Sequence, residues 1–494
     1  MTTMLDSLVT GFTVALDPTN LLFCTIGVSL GTLVGVLPGL GPVTTMALLL
    51  PAVFHLPAEA ALMMLSGIYY GAQYGSSTTA ILLRIPGEAS GVVTMRDGHA
   101  MAQQGRAGPA LGIAALASLV GGLIAAPVLA LLLRPLASLA IAFGPAETAA
   151  LVLLGAAAAV AMSSGSLLTG WGMLIAGAVL GLVGTDLAGG LPRFTFGLLE
   201  LSGGISFAPL AVGIFGFAEL IRALTTDTGA RIRAHGSVWP SRADLRDGSL
   251  PALRGSLVGS LIGIVPGGST LLAALAAYSL EKGISGRRLD FGSGVVAGVA
   301  APEAANNAAA QTAFAPLLAF GLPSNAIMAV MAGAMLMIGI APGPSVVATR
   351  PEIILGLVAS MLIGNLILVA LNLPLVGIWT AVLRIPMKLL VPPIMVVCCV
   401  GIWSINGSVF DVWLLLGFGL VGWLLLCVDV DPTPLLLGFV LAPIFEEAAR
   451  RALVQAYGDW WVFLNRPWSA GLLAAAVLAT LLGIWHANRK GRAT

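Results

Sequence analysis

"GTLVGVLPGLGP", residues 31–42, places four glycines and two prolines inside an apolar run, although these are the poorest helix formers. The pattern returns as "GSLIGIVPGGST", residues 259–270. Superposing the prolines pairs Gly31 with Gly259, Gly35 with Gly263, Pro38 with Pro266 and Gly39 with Gly267, without a gap. In hydrocarbon an unpaired backbone group costs several kcal/mol, so irregular backbone survives only where it is buried in protein or lines a watery cavity. A break repeated at matching positions therefore points to a solute-binding site.

The surroundings are membrane-like throughout. Of 494 residues, 58% are hydrophobic and 9% charged, against about 25% charged in an ordinary soluble domain. Apolar runs of about 20 residues, the length that spans a bilayer core, recur roughly a dozen times. The predicted fold class is an all-α polytopic membrane protein of about 12 transmembrane helices. The start, "MTTMLDSLVTGF", lacks the basic segment and small-residue cleavage site of a secretory signal, so the N-terminus is expected to be retained. A net charge of +1 gives no reason to expect a nucleic-acid partner. Arg231, Arg233, Arg242 and Arg246, lying between Arg222 and Arg254, form a basic segment. The tail adds Arg489, Lys490 and Arg492, and the positive-inside rule puts both stretches, and with them the C-terminus, in the cytoplasm. Cys24, Cys398, Cys399 and Cys427 lie in apolar runs and read as small core residues. His55, His99, His235 and His486 have no partner at metal-ligand spacing.

Four regions follow: a first half over 1–221, a basic cytoplasmic loop over 222–254, a second repeat core over 255–350, and added helices with a tail over 351–494. "ILLRIPGEAS" (81–90) resembles "LLAFGLPSNA" (317–326), each an apolar run, a proline and small polar residues. A re-entrant element at 31–42 changes the crossing parity between halves, and the reading favours inverted repeats, each with a broken or re-entrant helix.

Backbone N–H groups freed at a break, with the positive end of a half-helix dipole, can hold an anion. Pro38, Gly39 and Gly41, followed by Thr44 and Thr45, and Pro266, Gly267 and Gly268, followed by Ser269 and Thr270, fit that role. Gly31 and Gly35 read instead as helix-packing positions. A second pair of polar stretches holds Gln73, Tyr74, Ser76, Ser77, Thr78 and Thr79, and then Glu303, Asn306, Asn307, Gln311 and Thr312, with Ser324 and Asn325 following. Uncharged oxygens and amides at this density suit cation coordination and hydrogen bonding to carboxylates, although some will be helix-to-helix glue. Glu303, Asn306 and Asn307 stand out, with Glu303, Asn306 and Asn325 the cation-coupling candidates. The competing reading of Glu303 is a helix N-terminal residue after Pro302 at the membrane surface. Arg84 pairs either with a substrate carboxylate or, the preferred reading, with Glu88. Glu446 and Glu447 stand i, i+4 from Arg450 and Arg451, a self-supporting arrangement expected at an interface beside Trp460, Trp461 and Trp468.

Six stretches together carry a family resemblance: "GTLVGVLPGLGP", "YYGAQYGSSTTAILLRIPGE" with "TMRDGHAMAQQGRAGPAL", "GSLIGIVPGG", "FGSGVVAGVAAPEAANNAAAQ", "GIAPGP" and "EEAARRALVQAYGDWWVFLNRP". In this order, over nearly the full length, the chain resembles the large membrane subunit of the tripartite tricarboxylate transporters. The resemblance implies a bacterial inner-membrane secondary transporter driven by a cation gradient, sodium or proton, with no further cofactor. It also implies a carboxylate substrate and two partners, a small four-helix membrane subunit and a soluble periplasmic binding protein. The positions it carries over are Pro38, Gly39, Gly41, Ser76, Ser77, Pro266, Gly267, Asn306 and Asn307. No phosphate-binding G-x-x-x-x-G-K-[ST] loop and no H-E-x-x-H motif is present. The alternatives are a passive anion channel and, more weakly, an intramembrane enzyme.

Overall fold

Asp17 accepts hydrogen bonds from the N–H groups of Thr19 and Asn20, separating helix α1 (Met4–Ala15) from α2 (Pro18–Val36). The computed structural model describes residues 4–37, 41–84, 87–162, 166–186, 189–225, 237–265, 267–286, 289–382 and 387–490. After the first break comes α3 (Pro42–Val53), whose 12 residues are too few to cross a core of about 30 Å. The chain then enters α4 (Ala58–Leu83), in which every residue from Ala60 to Leu82 is buried. Gly27, Gly31 and Gly35 explain how α2 reaches α4, because a Cβ on any of them would run into the backbone of Met64, Ile68 or Ala72. Small residues replace side-chain packing by backbone contact.

Next come α5 (Gly91–Gln103), the long α6 (Ala107–Ala142), α7 (Pro145–Met162) and α8 (Leu167–Gly181). A hairpin pairs Gly184–Thr185 with Pro192–Arg193, and a span follows as α9 (Phe207–Ala211), a π-helical turn (Val212–Phe217) and α10 (Ala218–Thr225). The second half repeats the first construction. Helix α11 (Arg242–Ile264) breaks, α12 (Thr270–Ile284) resumes, and α13 (Ala297–Thr312) is buried from Gly298 onward. Gly255, Gly259 and Gly263 meet the backbone of Ala301, Ala305 and Ala309.

Residues 64, 68 and 72 thus correspond to 301, 305 and 309, an offset of 237 that also carries Arg84 onto Gly321 and Pro86 onto Pro323. Arg84 ends α4 at φ 59°, and Gly321 ends α14 (Phe314–Phe320) at φ 73°. Both stop a helix in the left-handed conformation that glycine adopts freely. The weaker of the two sequence matches is therefore a structural one. The offset is 228 at Gly31 and Gly259, so the second half carries nine extra residues ahead of α13.

After α15 (Ala326–Met337) come α16 (Pro344–Thr349), α17 (Pro351–Asn372), α18 (Val376–Val382), α19 (Met387–Asn406), α20 (Val409–Cys427), α21 (Thr433–Gln455), α22 (Val462–Asn465) and α23 (Pro467–Lys490). Among the described residues, six helical stretches are long and apolar enough to cross a membrane, and five more apolar helices are shorter. The chain is an all-α polytopic membrane protein.

Two features depart from the expected organisation. The basic segment at 222–254 is not all loop, because the Ser241–Asp244 capping box starts α11 at Arg242. The helices after 350 are not uniformly peripheral. The apolar window of α17 is 61% buried, against α4 and α6, whereas those of α20 and α23 are 22% and 11% buried.

Candidate functional site

Glu303 sits on the second turn of α13, past Pro302, with 0% of its surface exposed. That excludes the reading of Glu303 as a helix-start residue at the membrane surface. Three hydroxyls donate to its carboxylate: Thr94 of α5 to Oε1, and Ser77 of α4 (2.7 Å) and Ser118 of α6 (3.3 Å) to Oε2. Each of these hydroxyls can donate to the ionised carboxylate. Asn307 Nδ2 donates to Ser118 Oγ (2.7 Å) and to Asn306 Oδ1 (2.7 Å), one turn along the same helix. Gly121 lets α6 come this close, since a Cβ there would strike the backbone of Ala304. Farther along, Gln311 is fully buried and neither of its amide atoms has a hydrogen-bond partner among the described residues.

A second cluster adjoins the first. Gly87 packs on the backbone of Gly35 and Ser76, where α2 ends. Ser76 Oγ accepts the Glu88 N–H (2.9 Å), while the Glu88 carboxylate accepts from Ser90 Oγ and from Thr270 Oγ1 (3.2 Å), the first residue of α12. Ser90 Oγ also lies 3.0 Å from Gln73 Oε1. Gln73 and Ser77 are one turn apart on α4, and Ser90, at the N-cap of α5, is one turn ahead of Thr94, so the two clusters form one polar belt across both modules. Glu88 does not pair with Arg84, contrary to the sequence reading. Arg84 is exposed at the left-handed end of α4, while Glu88 is engaged by Ser90 and Thr270.

The other expected residues separate. Pro38, Gly39 and Pro266 lie outside the described residues. Gly41 begins α3 with open space where a Cβ would be. Thr44 bonds the carbonyl of Phe215 in the π-helical turn (3.3 Å), and Thr45 that of Gly41 (3.1 Å). Gly267 turns at φ +83° against Ala158, Gly268 N–H donates to Val265 O (2.8 Å), and Ser269 caps α12 by accepting from Leu272 N. Thr78 is buried beside Ser77. Ser324 Oγ lies 3.5 Å from Ala313 O and Asn325 caps α15 by accepting from Met328 N (2.9 Å), so both have structural work.

Sequence reasoning missed Thr94 and Ser118, which touch Glu303. Ser118 is one hydroxyl in an alanine-rich helix, and only its position one turn ahead of Gly121 marks it. Asp97, one turn past Thr94, was also missed. It is fully buried, accepts from Gly292, Gly294 and Val295 N–H (2.9, 2.9 and 2.8 Å) through Oδ1, and from Tyr278 Oη (2.9 Å) through Oδ2. The segment just before α13 is thereby fixed to α5. Away from the belt, Glu446 accepts from Arg193 (2.7 Å) and from Arg450 (2.6 Å), which also reaches Asp186, so the β-hairpin is fastened to α21. Arg451 bonds Glu447 as the spacing predicts.

A helical membrane protein with a buried carboxylate, hydroxyl and amide belt between two glycine-packed modules has the build of a solute-transport protein. The chain belongs to the tripartite tricarboxylate transporter TctA family, whose model matches residues 21–437. It is thus the large subunit of a transporter of this type, in a transporter family and not an enzyme family. It is 47% identical, over all of its length and 98% of the relative's, to an uncharacterized 52.8 kDa protein in the TAR-I ttuC' 3' region of Agrobacterium vitis. An uncharacterized protein in the TAR-II ttuC' 3' region of the same organism is 46% identical over 47% of this chain and 97% of its own length. No solved structure matches the chain.

Proposed function

We propose that the chain carries a carboxylate-bearing solute across the bacterial inner membrane as a secondary carrier driven by a sodium or proton gradient. In this reading a periplasmic binding protein delivers the solute, a small four-helix membrane subunit completes the complex, and the C-terminus lies in the cytoplasm. The observation that carries the reading is Glu303, an ionisable group at 0% exposure held by hydroxyls from three other helices. Ionisable residues inside membrane spans mark ion and substrate pathways.

Glu303 takes the coupling cation, with Asn306 and Asn307 beside it, while the anion binds at the half-helix starts around Gly41 and Ser269–Thr270. Glu88, now bonded to Thr270, stands where a substrate carboxylate binds and gives way to it. The two modules are inverted and rock about the belt that joins them. A passive pore is the rival reading. Counterflow in proteoliposomes separates them: a carrier exchanges external labelled for internal unlabelled carboxylate, whereas a pore lets label equilibrate without trans-stimulation, and that outcome would overturn the proposal.

A further inference from the structure

Beside Glu303 lies a small pocket of ≈ 10 Å³, lined by Tyr74, Ser77 and Thr78 of α4, Ser118 of α6 and Asn372 at the end of α17, with Leu111, Ala114 and Ala115 as its apolar wall. A space of this size holds a single water-sized particle. The polar atoms around it have mostly committed their hydrogens elsewhere. Ser77 and Ser118 donate to Glu303 Oε2, and Tyr74 Oη donates to Asn365 Oδ1 (3.1 Å). Asn372 Nδ2 donates to Leu368 O (2.9 Å), which leaves its Oδ1 buried without a partner. These four groups bring lone pairs to the pocket.

Thr78 Oγ1 is the fifth oxygen of the lining, so the pocket offers lone pairs from five oxygens and a free hydrogen from at most this one, the complement of a cation more than of a water. Neutral hydroxyl and amide oxygens are hard ligands, the kind that holds unpolarisable cations. Glu303 is the carboxylate these hydroxyls share, and its single negative charge balances one positive charge and not two. We propose that this pocket, between α4, α6 and α17 and against Glu303 of α13, is a binding site for one dehydrated sodium-sized cation. The site joins both modules and α17, which gives that buried helix a functional part.

The inference rests on the carrier reading and names its coupling ion as sodium. Thermal unfolding of the purified chain in lipid nanodiscs, in NaCl, KCl or choline chloride at equal ionic strength, tests it without any substitution. Stabilisation specific to sodium is expected, and equal midpoints in the three salts would mean a buried water only. In the reconstituted complex, Asn372→Leu or Thr78→Val should raise the half-saturating sodium concentration of uptake by about tenfold and leave that of the carboxylate within about twofold; unchanged sodium dependence in both overturns the assignment. Uptake driven by protons alone would overturn the sodium site and leave the carrier standing. Loss of counterflow with every carboxylate tried would overturn the carrier, even if sodium still stabilised the protein.

Discussion

Asp97 shows how one buried charge organises its surroundings. Its four hydrogen bonds fix the 292–295 segment, and so the entry to α13. Bonds to a charged group contribute about 1.5–3 kcal/mol each, and stranding a buried donor costs about 1–3 kcal/mol. Asp97→Ala should therefore lower unfolding stability by more than about 3 kcal/mol, whereas Asp97→Asn, which keeps an acceptor for the three N–H groups, should lose much less. Heat unfolding of both variants in one detergent measures this, and equal losses would deny Asp97 its clamping role. Asp97 was not legible in the sequence, since a carboxylate amid "TMRDGHAM" looks like an exposed loop residue. Glu303 was legible, because its neighbours Asn306 and Asn307 have no reason to be in an alanine helix unless something polar faces them.

At the scale of elements, the glycine rows decide which helices touch. The spacing of Gly31 and Gly35 disclosed packing, but their partner α4, and the matching contact of Gly259 and Gly263 with α13, emerged only in three dimensions. The backbone of Ala305 leaves no room for a Cβ at Gly259, while Gly41 has open space. Gly259→Val should abolish a monodisperse peak in size-exclusion chromatography, because overpacking costs about 1–3 kcal/mol or more; Gly41→Ala should elute like wild type. A normal peak for Gly259→Val would refute the close approach of α11 and α13. The hairpin's attachment to α21 is electrostatic. The hydrogen bond from Arg193, helped by Arg450, holds the Glu446 carboxyl below its usual 4.5. A lowered folded value stabilises fully above 4.5 and is lost as pH falls through the folded value. The unfolding midpoint of Glu446→Gln should lie below wild type at neutral pH, and the gap should close as pH falls below 4.5 and through the lowered folded value; a gap independent of pH would rule the charge out.

The centre of the molecule is two copies of helix, break, half-helix and buried helix, joined by hydroxyls and amides around the carboxylates of Glu303 and Glu88. Sequence disclosed the duplication through its prolines, and the 237-residue offset extends it from α4 through the left-handed stops at Arg84 and Gly321. The inward place of α17 was missed because its length and hydropathy read alike whether it faces lipid or protein, although Ser360, Asn365 and Asn372 in the apolar run could have signalled a face turned toward protein. If the modules are inverted, as proposed, Thr19 of α2 and Asp247 of α11, both exposed and related by the 228-residue offset, lie on opposite faces of the membrane. In a background without native thiols, cysteines at these positions should react with an impermeant maleimide from opposite sides, and reaction from one side would make the modules parallel.

In the proposed carrier, Glu303 ties solute movement to a cation gradient. The decisive comparison is wild type against Glu303→Gln in proteoliposomes containing the whole complex and its binding protein, supplied with a carboxylate that stabilises that protein. Under an imposed sodium or proton gradient, Glu303→Gln should accumulate at least about tenfold less solute while still exchanging label across the membrane. Accumulation by Glu303→Gln equal to wild type, with the same sodium and pH dependence, would remove Glu303 from the coupling of solute to cation.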